Sequence, residues 1–186
     1  RVARLAADLT PAAFVCLITY DSDLNELNVS SVSGTNTPLF SQVNAAARRE
    51  EAGWNPSINM TATTNPAFQK VIFGEKPHHA TVREFCDGVI KPQLFDSVFS
   101  KFTDNSCFAV PIIVQDQVYG ALMFVSPERF TKPQELSCLE FVEQCRNSVS
   151  SLIEEQRLTE EIENLTEQLR RIQMNDPLGL TQRSGS

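Results

Sequence analysis

The residues whose side chains could carry chemistry are two adjacent histidines and five cysteines. His78 and His79 are the only histidines in the chain. On a strand, neighbouring side chains point to opposite faces, so this pair cannot hold one metal ion together. His79 could be a lone haem ligand, but an ordinary surface or hydrogen-bonded histidine is the simpler interpretation. Two histidines also supply little general acid–base capacity near neutral pH.

The cysteines are odd in number and contain no C-x-x-C pair, which favours free thiols in a reducing compartment, either the cytoplasm or an organelle stroma. They are Cys16, Cys86, Cys107, Cys138 and Cys145. Thiolates that meet in space could hold an iron–sulfur cluster, although their spacing gives no support for one. The alternative is buried thiols that act as small apolar residues. Cys138 and Cys145 would lie about 10 Å apart on one helix face, placed to meet their mates in a dimer.

Several classes of function find no signature in the chain. It has no Gly-rich phosphate loop, no H-E-x-x-H, no G-x-S-x-G and no cysteine with an evident base, so we expect no enzymatic activity from it. The net charge of -7 argues against nucleic acid as a partner. No apolar run approaches the roughly 20 residues that cross a bilayer. The chain begins at Arg1 without a signal stretch, and we expect a fragment of a longer protein.

The first half of the chain reads as alternating strands and helices. An apolar run and an alternating run, 13–20 and 26–32, predict an antiparallel strand pair. Further segments predict helices at 41–52, 67–73 and 89–102, a polar loop at 55–64 and a short extended piece at 78–82. Asn65 can cap the second helix, with Pro66 at its first position.

Residues 107–114 and 118–125 form the clearest hairpin, joined by Gln115-Asp116-Gln117. Both strands are apolar on both faces, which places them in the middle of a covered sheet. Gly120 would allow another chain segment to approach closely, and Pro111, which lacks an N–H, should lie at a bulge or an unpaired position. Sheet packing alone would also account for both residues.

A long helix should follow Thr131, since no Pro or Gly interrupts it until Pro177. It could run about 40 residues, or on the order of 60 Å. Two apolar stripes with alternating spacings of four and three lie along it, separated by a phase break at 154–156. The first stripe comprises Cys138, Val142, Cys145, Val149 and Leu152. The second comprises Leu158, Ile162, Leu165, Leu169 and Ile172.

This a/d spacing is typical of a two-stranded coiled coil, and we predict a homodimer through Cys145, Val149, Leu152 and the second stripe. The phase break would give the coil two packings of similar energy, as a signal relay requires. A plain dimerisation helix, or one packed on its own domain, is the alternative.

The order of strand pair, helices, central hairpin and exit helix resembles the GAF family of sensor domains. Residues 109–122 (Ala-Val-Pro-Ile-Ile-Val-Gln-Asp-Gln-Val-Tyr-Gly-Ala-Leu) look like the family's central hairpin. Residues 73–77 (Phe-Gly-Glu-Lys-Pro) are similar to its Gly-x-x-Pro segment before the strand under the pocket. The resemblance covers roughly residues 10–155. It implies an α+β fold with a central antiparallel sheet, helices on both faces and a long C-terminal coiled-coil helix.

The resemblance also implies a division of the chain. A helix or lead-in would occupy 1–10, the GAF-like sensor domain 11–130, the signalling and dimerisation helix 131–175, and a tail or linker to a missing output domain 176–186. A ligand pocket would lie between the sheet and the segments around 75–102. We predict, from position alone, ligand-binding roles for Phe85, Cys86, Phe95, Phe99, Cys107 and His79.

The identity of the ligand is open. In bilin-binding relatives a His directly follows the chromophore-bearing Cys, whereas Asp87 follows Cys86 here. The segment 104–108 is one residue too long for the second-cysteine motif of bilin sensors, and the cyclic-nucleotide signature of phosphodiesterase GAF domains is absent. A small molecule or a redox cofactor such as an iron–sulfur cluster is therefore expected before bilin or haem.

Three functions follow from this interpretation. The first is a sensor that transmits its state through paired helices to an output domain, such as a histidine kinase of the cyanobacterial or chloroplast type that reads redox state. The second is a ligand-free dimerisation or scaffold module. The third, with the least support, is a reductase of GAF fold that uses reactive cysteines.

Overall fold

The computed structural model describes residues 2–34, 41, 57–61, 64–89, 96 and 103–175. The chain divides into two compact units, Arg1–Asn147 and Ser148–Ser186. Among the described residues, no helix combines the length and the apolar character needed to cross a membrane. The predicted helix at 89–102 lies outside them except for Val89 and Asp96, and that at 41–52 except for Ser41.

In the described part of the chain, six antiparallel strands form one sheet in the order β3-β2-β1-β6-β5-β4. The strands are β1 (Phe14–Asp21), β2 (Glu26–Gly34), β3 (Ser57–Asn59), β4 (His78–Thr81), β5 (Ser106–Val114) and β6 (Gln117–Ser126). The predicted antiparallel sheet and both predicted strand pairs are confirmed. β3 falls within the predicted polar loop, because three residues are too few to show an alternating pattern.

The β5–β6 hairpin closes through a two-residue turn, Gln115 and Asp116, both with left-handed backbone (φ 51° and 61°). This turn type matches the right-handed twist of the flanking strands. Across the sheet, Gly120 lies opposite Thr19 of β1, and its φ is +146°. A Cβ at this position would overlap the Ile18 carbonyl oxygen, which confirms the predicted close approach.

Pro111 was predicted at a bulge or an unpaired position, but it pairs with Ala121 of β6, and the β5–β6 register shifts one residue later, between Ile112 and Ile113. The pairing of β4 with β5 ends at Ala109. Pro111 therefore lies beyond the stretch of β5 that has a described partner on both sides, where its missing N–H costs least.

Four helices are described over their whole length: α1 (Val2–Leu9), α2 (Pro66–Ile72), α3 (Val82–Cys86) and α4 (Lys132–Asn175). Asn65 caps α2 with Pro66 at its first position, as predicted. Helix α3 was not predicted. Thr81 and Glu84 form a capping box around its start, with the Thr81 N–H 2.7 Å from Glu84 Oε2, and this T-x-x-E spacing was the available signal.

Helix α4 is continuous, as predicted, and starts directly after Thr131. The Thr131 N–H and hydroxyl both donate to Gln134 Oε1, at 2.9 and 3.0 Å. Its first turns bury Cys138, Phe141 and Val142. The prediction that Cys138 meets its dimer mate is therefore wrong, because this residue is 0% exposed in the interior of the first unit.

The sheet has two sides with different covers. On the α2/α3 side, Cys16, Met123 and Ala109 lie in one row across β1, β6 and β5 and pack with Phe68 and other residues of α2 and α3. On the other side, the α4 side, the Phe108 ring contacts the Phe130 ring just before α4, with centroids 6.0 Å apart. Helix α1 packs against β1 and β2.

Candidate functional site

Three of the predicted ligand-binding residues come together on the α2/α3 side. Phe85 is 1% exposed, Cys107 is 0% exposed and Cys86 is half-buried beside them. The Phe85 ring packs edge-on against Phe68, with centroids 5.2 Å apart, and lies 6.4 Å from the ring of His78. These residues thus share one packed layer on the α2/α3 side of the sheet, the α2/α3 layer, and His78, which was not among the predicted ligand-binding residues, contacts it through Phe85.

His79 lies on the opposite side of the sheet. Its ring stacks on Phe108 with centroids 4.3 Å apart, and its Nε2 lies 3.1 Å from Glu135 Oε1 at the start of α4. The alternation of side chains along β4 causes this separation from Phe85. Phe95 and Phe99, also predicted to bind ligand, lie outside the described residues.

Asn65 holds the cover of this layer in place. Its Oδ1 accepts the N–H groups of Ala67 and Phe68 at 2.9 and 3.0 Å, while its Nδ2 donates to the carbonyls of Glu84 and Asp87, both at 2.8 Å. One buried side chain therefore caps α2 and joins it to α3, which carries Phe85 and Cys86. The cap was visible in the sequence, but the link to α3 was not.

We expect Asn65→Asp to lower the free energy of unfolding by about 2 to 4 kcal/mol. A carboxylate keeps the cap acceptor but loses the donor and faces three carbonyl oxygens, including that of Phe85. Asn65→Ser, which keeps an acceptor without the charge, should lose less. Urea denaturation followed by circular dichroism measures the free energy of unfolding of both variants. An Asp variant as stable as the wild type would contradict the role of Asn65 in joining α2 to α3.

The thiols of this layer are in their protonated form near neutral pH. Burial raises the pKa of Cys16 and of Cys86 to about 12, and raises that of Cys107 well above its usual range. Burial has the same effect on Cys138, to about 12, and raises the pKa of Cys145. Because the thiolate is the nucleophile and the metal ligand, these environments suppress both kinds of chemistry.

All five cysteines are free and all lie within the described part of the chain. Among the described residues, no three His, Cys, Asp or Glu side chains are arranged to hold a metal ion. The cysteines therefore do not fit the three or four thiolates that an iron–sulfur cluster needs. The buried Phe85 belongs to the core cluster of this side of the sheet, and the partly buried Cys86 and Met123 pack against that cluster.

Described residues of α4 make polar contacts with the strands of the sheet. One is His79 with Glu135. Another is Arg146, whose Nε donates to the Ile113 carbonyl at 2.6 Å, at the irregularity of β5. Neither contact was predicted, since both join residues distant in sequence. They place α4 in direct contact with the strands that carry Cys107 and His78 on their other side.

The second unit is the distal part of α4. Its described apolar side chains of the second stripe are 47% to 64% exposed, and they are Leu158, Ile162, Leu165, Leu169 and Ile172. Ion pairs such as Arg171 with Glu167, at 3.1 Å, lie outside that stripe. Of the other predicted dimer residues, Cys145 and Val149 are half-buried and the side chain of Leu152 lies outside the described residues.

Comparison with known proteins gives a family match and a set of similar structures. The family model described as "GAF domain" matches residues 1–153. The GAF domain/HD domain protein from Geobacter sulfurreducens is 16% identical with a TM-score of 0.55, over 82% of this chain and 89% of that chain. The second GAF domain of DevS from Mycobacterium smegmatis is 21% identical with a TM-score of 0.51, over 85% and 96%.

A domain of a putative two-component sensor histidine kinase protein from Sinorhizobium meliloti is 12% identical with a TM-score of 0.50, over 85% of this chain and 92% of that chain. At these identities the similarity shows the fold. A search of the curated proteins found no match.

Proposed function

The chain belongs to the GAF domain family, and from this premise we propose that it is a sensory domain that binds a small ligand and transmits its state through a dimeric helix to an output domain. The structurally similar chains include one described as a domain of a putative two-component sensor histidine kinase protein, and a histidine kinase is the output that we propose. A cyanobacterial or chloroplast type and a redox signal stay predictions.

The observation that carries this proposal is the division of α4. Its first turns bury Cys138, Phe141 and Val142, while its distal turns present a stripe of exposed leucine and isoleucine. Apolar residues at a/d spacing lose contact with water when a second helix of the same kind packs against them. A second copy of the chain supplies that helix, with an identical stripe and no need for another partner.

The route from ligand to helix is through the sheet. β5 carries Cys107 in the α2/α3 layer, and the same strand presents Phe108 and the Ile113 carbonyl to the α4 side. We expect a ligand that displaces Phe85 or Cys86 to shift these strands and, through Glu135 and Arg146, the turns of α4 that contact them. The phase break at 154–156 would then allow the paired helices to change their packing.

The oligomeric state tests the proposal directly. Light scattering of the purified chain over a concentration series should show a dimer, and a monomer at high concentration would contradict the relay. An absorption spectrum of protein purified without oxygen, with metal analysis and mass spectrometry of extracted small molecules, would identify a bound ligand.

A ligand-free dimerisation or scaffold module is the second candidate, and one observation favours it. The described part of the α2/α3 layer is filled by the chain's own side chains, since Phe85, Val71 and Cys107 are all at most 1% exposed. Dimers that carry no extracted small molecule would support this candidate over the first.

We propose that the chain is regulatory rather than catalytic. A reductase that uses cysteines would need a thiolate, and the raised pKa of Cys86 opposes its formation. Thiol-dependent turnover of a small oxidised substrate, lost in Cys86→Ser, would overturn this proposal.

A further inference from the structure

One side-chain pair joins an edge strand of the sheet to the first turn of α4. His79 Nε2 in β4 lies 3.1 Å from Glu135 Oε1. The other carboxylate oxygen of Glu135 forms an ion pair with the Lys132 ammonium at 2.7 Å. The imidazole is held flat against Phe108 by stacking. The ring is therefore fixed in orientation, with one nitrogen directed at the helix.

The surroundings of Nδ1, the second ring nitrogen of His79, indicate which protonation state of the ring is favoured. Nδ1 of His79 is buried and has no hydrogen-bond partner among the described residues, although the whole side chain is 34% exposed. Because Glu135 is an acceptor, the proton of the neutral ring belongs on Nε2, which leaves Nδ1 as a bare lone pair. A second proton would bury an N–H at Nδ1 without an acceptor, which is costly.

The groups around His79 shift its pKa in both directions. Burial lowers the pKa of His79, the Glu135 carboxylate opposes this effect, and Arg129 and Lys132 add to it. From β4 itself the neighbouring His78 is also in electrostatic reach. The net direction is towards the neutral ring, so at neutral pH the contact is a hydrogen bond from a neutral imidazole to an ionised carboxylate.

We propose that His79 and Glu135 form a pH-sensitive latch between β4 and α4, closed when His79 is neutral and opened when the ring takes up a proton at Nδ1. Opening frees the ring to turn Nδ1 towards water, and the first turn of α4 loses its contact with the edge of the sheet. The latch is a property of the first unit, so it stands whether or not the distal helix dimerises or a ligand binds.

The direction of the pH effect follows from linkage. The pKa of His79 in the folded chain lies below its ordinary value of 6.5. The unfolded chain therefore takes up this proton first as the pH falls. The stabilisation from the latch is fully present above pH 6.5 and is lost as the pH falls from 6.5 through the pKa of the folded state.

Nitrogen-15 NMR of the imidazole rings in the wild-type chain tests the protonation state. With only two histidines, His78→Gln assigns the signals. We expect the Nε2–H tautomer for His79 at pH 7.5 and a pKa below 6.5. The Nδ1–H tautomer, or a pKa at or above 6.5, would overturn the latch without reference to dimerisation or ligand binding.

Hydrogen exchange tests the mechanical consequence. After correction for the intrinsic pH dependence, the amides of 136–142 should exchange roughly threefold faster or more at pH 5.5 than at pH 7.5. His79→Gln keeps a donor near the Nε2 position but does not titrate, and should abolish this increase, whereas His78→Gln should retain it. An equal increase in His79→Gln would overturn the proposal, and if that variant does not fold, the NMR titration decides.

Discussion

Leu165→Glu is expected to convert a dimer into a monomer at concentrations where the wild type is dimeric. Leu165 is at the centre of the second stripe and is 51% exposed. In a parallel pair its two copies would face each other, so the substitution removes two buried leucines and places two like charges in the seam. At about 1.5 to 3 kcal/mol for each buried Leu, the dimer should weaken by roughly 3 to 6 kcal/mol, or a hundredfold or more.

The matched control is Asn164→Glu, which adds the same charge one residue earlier, on the outer face of the helix. Asn164 is exposed and outside the stripe, and the variant should remain dimeric with a dissociation constant within a few-fold of the wild type. Sedimentation equilibrium over a concentration series measures all three chains. Equal weakening by the two substitutions would show that charge, and not the stripe, governs association.

Gly120→Ala is expected to lower the free energy of unfolding by about 3 to 5 kcal/mol, which is much of the total stability of an ordinary domain. The added methyl group would overlap the Ile18 carbonyl oxygen and lie 2.9 Å from Thr19 Cα, and neither backbone atom can turn away as a side chain could. The residue would also need a backbone conformation, φ +146°, that L-amino acids rarely adopt. β1 and β6 would have to separate.

Gly88→Ala provides the control for backbone conformation alone. Gly88 also has a positive φ, of +68°, but a Cβ there meets nothing within 4 Å. Gly88→Ala should lower the free energy of unfolding by about 1 to 2 kcal/mol, the cost of a left-handed backbone at a residue whose side chain meets no other atom. Urea midpoints of the two variants separate strain from overlap, and a Gly120→Ala chain within 1 kcal/mol of Gly88→Ala would show that the sheet yields at this point.

The parts of the fold that depend on interactions between neighbours in the chain could be predicted from the sequence. The β5–β6 hairpin could be predicted because two apolar runs flank a polar turn. The start of α2 could be predicted because Asn65 and Pro66 are the residue types that a helix N-terminus favours. The same applies to α4, where Thr131 and the absence of Pro and Gly before Pro177 predict its start and continuity. Alternation along β4 also implied that His78 and His79 point to opposite sides.

Which elements these residues contact could not be predicted and became clear only from the packing of the folded chain. It buried Cys138 inside the first unit, although its spacing on the helix suited a dimer seam equally well, because an apolar stripe does not identify its partner. It also assigned Asn65 to α3, Arg146 to the Ile113 carbonyl and His79 to Glu135. Each of these contacts joins groups 19 or more residues apart, and no local pattern encodes a distance that only the packing of sheet and helix creates.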